Sequence, residues 1–114
     1  GDYDGAESKI LKSIEVSKQE DDEKTTALGF FHLGILEKNK GNYEDSKEKY
    51  EVALGICRSI NWRSRESMVL KHLAGLEESH GNLTDSRGFE KLYSDIDNEI
   101  GFEPHDWNNW KEEL

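Results

Sequence analysis

The turn Gly-polar-Tyr/Leu comes back at a constant interval. Gly1-Asp2-Tyr3, Gly41-Asn42-Tyr43 and Gly81-Asn82-Leu83 are each 40 residues apart. A fixed period of about 20–50 residues marks supersecondary units that stack on one another, because one such unit cannot bury its own apolar face. Overlaying residues 1–40 on 41–80 pairs Gly1 with Gly41, Tyr3 with Tyr43, Lys9 with Lys49 and His32 with His72. It also pairs Leu33 with Leu73, Leu36 with Leu76 and Glu37 with Glu77. A third copy places Asn82, Asp85, Ser86, Ile96 and Ile100 over Asn42, Asp45, Ser46, Ile56 and Ile60. Most of these residues are small or apolar, the kind that packing selects.

Each unit reads as two helices. Tyr43, Ser46, Tyr50, Ala53, Leu54, Cys57 and Ile60 follow the i, i+3, i+4, i+7 spacing of one helical face. Val52 and Ile56 add a second stripe, as a helix lying between two neighbours needs. Tyr3, Ala6, Ile10, Ile14 and Ser17 repeat the first stripe one period earlier. The preceding helix, roughly Asp22–Lys40, carries Ala27, Leu28, Phe30, Phe31, Leu33, Gly34, Ile35 and Leu36. Its next copy, roughly Ser64–His80, carries Met68, Val69, Leu70, Leu73, Ala74 and Leu76. Gly41 and Gly81 are expected to end one helix in a left-handed conformation. Asn42 and Asn82 are expected to N-cap the next helix, with Asp45 and Asp85 completing capping-box-like pairs. The connections at Gln19–Glu23 and Asn61–Arg65 are expected to be polar and longer. After Gly101 and Pro104, Asp106 is placed to cap a short final helix, His105–Leu114, with Trp107, Trp110 and Leu114 on one face as a lid over the last unit.

Composition limits the function. The 114 residues suit one domain, and the 33% hydrophobic content against 35% charged leaves little core material. A net charge of −10 argues against nucleic acid or an anionic membrane as the main ligand, since both call for positive potential. No stretch approaches the roughly 20 apolar residues of a membrane span, and no secretion signal is visible. Cys57 is the single cysteine and reads as a buried small hydrophobe, which fits a reducing, cytoplasmic setting. Without a secretion signal, the Asn82-Leu83-Thr84 sequon is not read as a glycosylation site.

At this point the residues resemble a tetratricopeptide repeat array of the 40-residue variety. The family's first helix carries a large residue, then leucine and a small residue three and four positions on. Phe30, Leu33 and Gly34 match that pattern, as do Leu70, Leu73 and Ala74. In its second helix the small residue corresponds to Ala6, Ser46 and Ser86, the aromatic to Tyr50 and the alanine to Ala53. Two departures stand out: the closing proline is absent, and Glu37 and Glu77 take a place usually filled by tyrosine, with Leu36 and Leu76 taking over its packing.

The resemblance implies an all-α fold, a right-handed superhelical stack of antiparallel helix pairs. Residues 1–20 would be the second helix of a truncated repeat, 21–60 and 61–101 two repeats, and 102–114 a C-terminal cap. It also implies a non-catalytic protein–protein interaction module whose first helices line a concave groove for a peptide or partner helix. Carried over, the groove positions are Leu28, Phe31, His32, Ile35 and Lys38 in one unit. The next unit supplies Met68, Lys71, His72, Gly75 and Glu78. The family's basic clamp on a terminal carboxylate is not expected, since Phe31 and Ile35 stand where it wants lysine and asparagine.

Other readings are weaker. His32 and His72 supply two imidazoles where a metal site wants three or four ligands, so repeat-position packing explains them better. Asp95, Asp97 and Glu99 lack the glycine and twelfth-position glutamate of a calcium loop. Glu20–Glu23 read as an exposed connector near a helix start, where negative charge is favourable. Arg58, Trp62, Arg63 and Arg65 form a basic patch with an aromatic, taken as a solvated loop. No phosphate loop, nucleophile elbow or paired metal motif occurs, so neither enzymatic activity nor a cofactor is expected. Because the chain opens at a mid-repeat turn, it reads as a piece of a longer array. Its open N-terminal end is expected to self-associate. The alternative function is a structural or dimerisation spacer without a peptide ligand.

Overall fold

The computed structural model describes residues 2–101. They form five α-helices: α1 (Tyr3–Gln19), α2 (Glu23–Asn39), α3 (Tyr43–Ser59), α4 (Arg63–Ser79) and α5 (Leu83–Glu99). Each helix has 17 residues. The described residues contain no strand. The short final helix expected over His105–Leu114 lies outside the described residues.

All the turns are alike, which corrects one expectation. The connections at Gln19–Glu23 and Asn61–Arg65 are no longer than those at Gly41 and Gly81. In each, one residue takes the left-handed conformation: Gly41 and Gly81 at φ +84°, Asp21 at φ 56° and Asn61 at φ 57°. Asp and Asn can take this conformation because their short polar side chains bond locally, where most residues would strain. Each turn closes with the same two bonds. At Asp21 they run from the Asp21 N–H to the Lys18 carbonyl (3.3 Å) and from the Asp22 N–H to the Ser17 carbonyl (2.8 Å). At Gly41 the equivalents reach Lys38 at 3.0 Å and Glu37 at 2.9 Å. This two-bond arrangement satisfies carbonyls that a helix end leaves open.

The caps differ from the sequence reading. Asp2 accepts from the Gly5 N–H at 2.9 Å and Asp22 from the Thr25 N–H at 3.1 Å, so both act as N-caps. Asn42 and Asn82 occupy N-cap positions but make no side-chain cap bond. Their amides turn the other way. Asn42 Nδ2 donates to Glu37 Oε2 at 2.8 Å, and Asn82 Nδ2 to the Tyr43 hydroxyl at 3.1 Å. For Asn42 the Glu37 carboxylate is the stronger attraction, because its desolvation must be offset, and Asn82 completes the hydroxyl that donates to Glu77.

Neighbouring helices pack side by side along the chain. α2 with α3 and α4 with α5 share more of their length than α1 with α2 or α3 with α4. The close approach of α2 and α3 rests on Gly34, where an added Cβ would stand 2.4 Å from the Tyr50 ring. Ser46, fully buried, fixes the same crossing by donating to the Gly34 carbonyl at 2.7 Å. One apolar cluster runs through the middle helices and joins Phe31, Tyr50, Ala53, Leu54, Val69, Leu70, Leu73, Leu76 and Ile96. A smaller cluster ties Ile14 of α1 to Leu33 and Leu36 of α2. Cys57 is buried. Leu36 and Leu76 are also buried, as their packing role requires. Val52 remains exposed and Ile56 half-buried, so the second stripe of α3 is only partly covered.

Candidate protein-binding groove

The expected groove residues split into three groups. Phe31 is buried and belongs to the central cluster, so its ring is core. Leu28, Ile35, His72 and Gly75 are half-buried. His32, Lys38, Met68, Lys71 and Glu78 are exposed.

α2 and α4 meet at aromatic rings. Phe31 packs edge-on against His72 with centroids 4.7 Å apart, and His32 lies 5.8 Å from the same phenyl ring. Tyr50 of α3 lies 5.8 Å from His72 beneath them. Its hydroxyl is buried without a hydrogen-bond partner among the described residues. Burial holds the His72 imidazole below its ordinary range, and the Lys38 ammonium adds to that. Both histidine rings thus lie near Phe31. Among the described residues no three His, Cys, Asp or Glu side chains gather in a metal-ligand set.

Gly75 is unlike Gly34. A Cβ at Gly75 would meet nothing within 4 Å. A mid-helix glycine costs about 0.5–1 kcal/mol relative to alanine, and no internal contact here requires it. It leaves backbone without a side chain one turn from His72 on α4.

Carboxylates are prominent inside the fold, and sequence reasoning undervalued them. Glu77 is 0% exposed, yet the Tyr43 hydroxyl donates to it and Lys47 Nζ lies 3.4 Å away. Burial works to raise its pKa, but the Tyr43 hydroxyl and the Lys47 charge outweigh that and hold it low. Tyr43 itself stacks flat on His80, with centroids 3.8 Å apart. This brace links the start of α3 to the end of α4. Glu37, its counterpart one repeat earlier, is held low by the Asn42 amide and by Lys40 at 3.2 Å. The Tyr3 hydroxyl, the counterpart of Tyr43, donates instead to the Asn39 carbonyl at 3.3 Å.

The basic patch is not free. Arg58 Nε lies 3.1 Å and Arg63 Nη1 2.8 Å from the Glu66 carboxylate, which is buried. Arg63 also pairs with Glu99. Trp62 lies between two cations, Lys24 of α2 at 5.1 Å and Arg65 of α4 at 5.2 Å from its ring centroid. The patch that read as a solvated loop is thus a joint between helices in which Arg58 and Arg63 are paired with carboxylates and Arg65 lies over the Trp62 ring. Asp97 and Asp95 are paired as well, with Lys71 at 3.3 Å and Lys91 at 3.3 Å.

A groove of about 340 Å³ opens between α4 and α5, lined by Ser64, Arg65, Ser67, Met68, Lys71, Asp97 and Ile100. It shares Met68 and Lys71 with the expected groove. The other five residues were not singled out as groove positions in the sequence. The available signal was the 40-residue offset, which sets Asp97 and Ile100 at the places of Cys57 and Ile60.

No protein-family model matches this chain, and none of the curated proteins matches it either. Among the described residues no helix is long and apolar enough to cross a membrane.

Proposed function

We propose that this chain is a non-catalytic interaction module of the tetratricopeptide kind, its antiparallel helix pairs stacked in a right-handed superhelix. On this reading it holds a peptide or helix of a partner protein along α2 and α4. The supporting observation is the surface those two helices share. Exposed Lys38, Met68 and Lys71 stand with half-buried Leu28, Ile35 and His72, and Gly75 leaves open backbone between them. Apolar half-pockets bordered by Lys38, by the Lys71–Asp97 pair and by Glu78 suit a segment with apolar anchors and mixed charge, since complementary charge sets register and encounter rate. A cytoplasmic setting belongs to the same proposal.

The test is selection from a displayed library of amphipathic peptides of mixed charge, followed by titration against the wild-type chain and two variants. Lys38→Ala with Met68→Ala should weaken a selected peptide about tenfold or more while leaving the melting temperature near its wild-type value. Phe31→Ala is unsuitable, because it would open the core. Selected peptides that bind both variants equally well would count against the groove.

A second reading, an assembly or dimerisation spacer, draws on α1. That helix exposes Leu11 (49%) along with Tyr3 and Val16, and exposed apolar surface of this kind is often covered by another chain. Light scattering distinguishes the two: a spacer gives a dimer that Leu11→Lys dissolves, and a groove module keeps its peptide affinity in that variant.

A further inference from the structure

α4 carries Arg65, Met68 and Lys71 three residues apart, a spacing that puts neighbours on one side of a helix. That side borders the groove of about 340 Å³ between α4 and α5. One repeat earlier the place of Met68 is held by Leu28, which is half-buried, whereas Met68 is 40% exposed. The apolar position is kept, but on α4 it holds a thioether within reach of water.

Arg65 Nη1 lies 3.0 Å from the Met68 sulfur, and the guanidinium carbon stands 5.2 Å from the Trp62 ring centroid. Attraction to the indole restricts where the guanidinium can go, so it is held beside the sulfur. A thioether is a weak acceptor, and a guanidinium carries five N–H donors, so this contact leaves most of the donor capacity of Arg65 unused by Met68. Cys57, the chain's other sulfur, is fully buried, and burial pushes its thiol up, away from the reactive thiolate. Met68 is therefore the sulfur that an oxidant in solution meets first.

We propose that Met68 is a modification site, oxidised by hydrogen peroxide to one predominant epimer of methionine sulfoxide under the direction of Arg65. The sulfur gives an electron pair to one peroxide oxygen, so an S–O bond forms and the O–O bond breaks. The departing hydroxide takes the proton of the transferred oxygen and leaves as water. Sulfur is oxidised, and peroxide reduced, by one electron pair. The Arg65 N–H engages one of the two sulfur lone pairs, which leaves the other to the oxidant. The new sulfoxide oxygen is a stronger acceptor than the thioether, and the guanidinium beside it gains a charge-assisted hydrogen bond. Oxidation thus makes an apolar edge of the groove polar, and the change is reversible. The site rests on the Arg65–Met68 contact and stands whether or not α2 and α4 hold a peptide.

Met68 is the single methionine of the chain, so a methyl-labelled methionine gives one NMR signal before oxidation and one for each epimer after it. The full chain is treated with hydrogen peroxide at neutral pH, and fragment mass spectrometry locates the added oxygen. The expected product has one oxygen on Met68, a reduced Cys57 and about a fivefold excess of one epimer, the weight of one ordinary hydrogen bond. Sulfoxide reductases that each take one epimer identify the major signal. Arg65→Ala should bring the two epimers close to equal amounts. Equal epimers in the wild-type chain, an excess unchanged by Arg65→Ala, or oxidation of Cys57 ahead of Met68 would each overturn the proposal.

Discussion

α3 and α5 hold the same place in their hairpins, yet they are built differently. α3 lies between α2 and α4 and buries Ser46, Tyr50, Ala53, Leu54 and Cys57, whereas α5 buries only Ser86 and Ile96. One repeat on from Tyr50, Leu54 and Cys57 stand Glu90, Ser94 and Asp97. The turns and the small residue at 46 and 86 are kept, so the frame is the same. What changes is the content of the face, which becomes polar where no described helix covers it. Gly34 and Ala74 follow the same logic. Gly34 is required because the Tyr50 ring lies against it; one repeat on, Ala74 holds its place and an exposed Glu90 stands at the register position of Tyr50.

The largest test of this contrast is truncation of the aromatic at the centre. Tyr50→Ala should cost about 3–5 kcal/mol of stability, the usual loss for a large buried ring, while Glu90→Ala should change almost nothing. Tyr50→Phe keeps the ring and should cost far less than Tyr50→Ala. Urea denaturation of the three variants measures all of this. Equal losses at positions 50 and 90 would dissolve the distinction between the helices.

A smaller effect sharpens it. Gly34→Ala should cost about 1–3 kcal/mol through overpacking against Tyr50. The same change in a Tyr50→Leu background should cost measurably less, because the obstructing ring atoms are gone. A double-mutant cycle reads the coupling directly. A cost at Gly34 that ignores residue 50 would mean the glycine serves something other than this crossing.

The smallest expected effect is on pH. His72 is held low when folded, so the unfolded chain takes its proton first, and stability falls as pH drops through about 6.5. Glu37 and Glu77 are also held low. Their stabilisation is complete above the unfolded value of about 4.3 and is lost as pH falls through the lower folded values. Melting temperature should therefore decline in two steps between pH 7.5 and 3.5. His72→Asn should remove the upper step and leave the lower one.

Much of the fold could be read in the sequence because its signals are local. The turn glycines, the small residues at Gly34 and Ser46, and the helical spacing of Leu33, Leu36, Tyr50 and Leu54 all act within one unit. The Asp21 and Asn61 turns were misjudged because glycine was taken as the marker of a left-handed residue, a role that aspartate and asparagine also fill. The carboxylates were undervalued for a different reason. Nothing local tells a buried Glu77 from a solvated Glu78; the distinction comes from Tyr43, 34 residues away. Phe31 was assigned to the groove because the family resemblance carries that position over, but only the structure sets His72 and Tyr50 around it.

Amide hydrogen exchange, residue by residue, tests most directly whether these helices share one interior that thins toward its ends. The account predicts the slowest exchange in α2, α3 and α4, all opening with the free energy of global unfolding, and faster exchange through α1 and α5. Protection in α5 equal to or greater than that in α3 would contradict it.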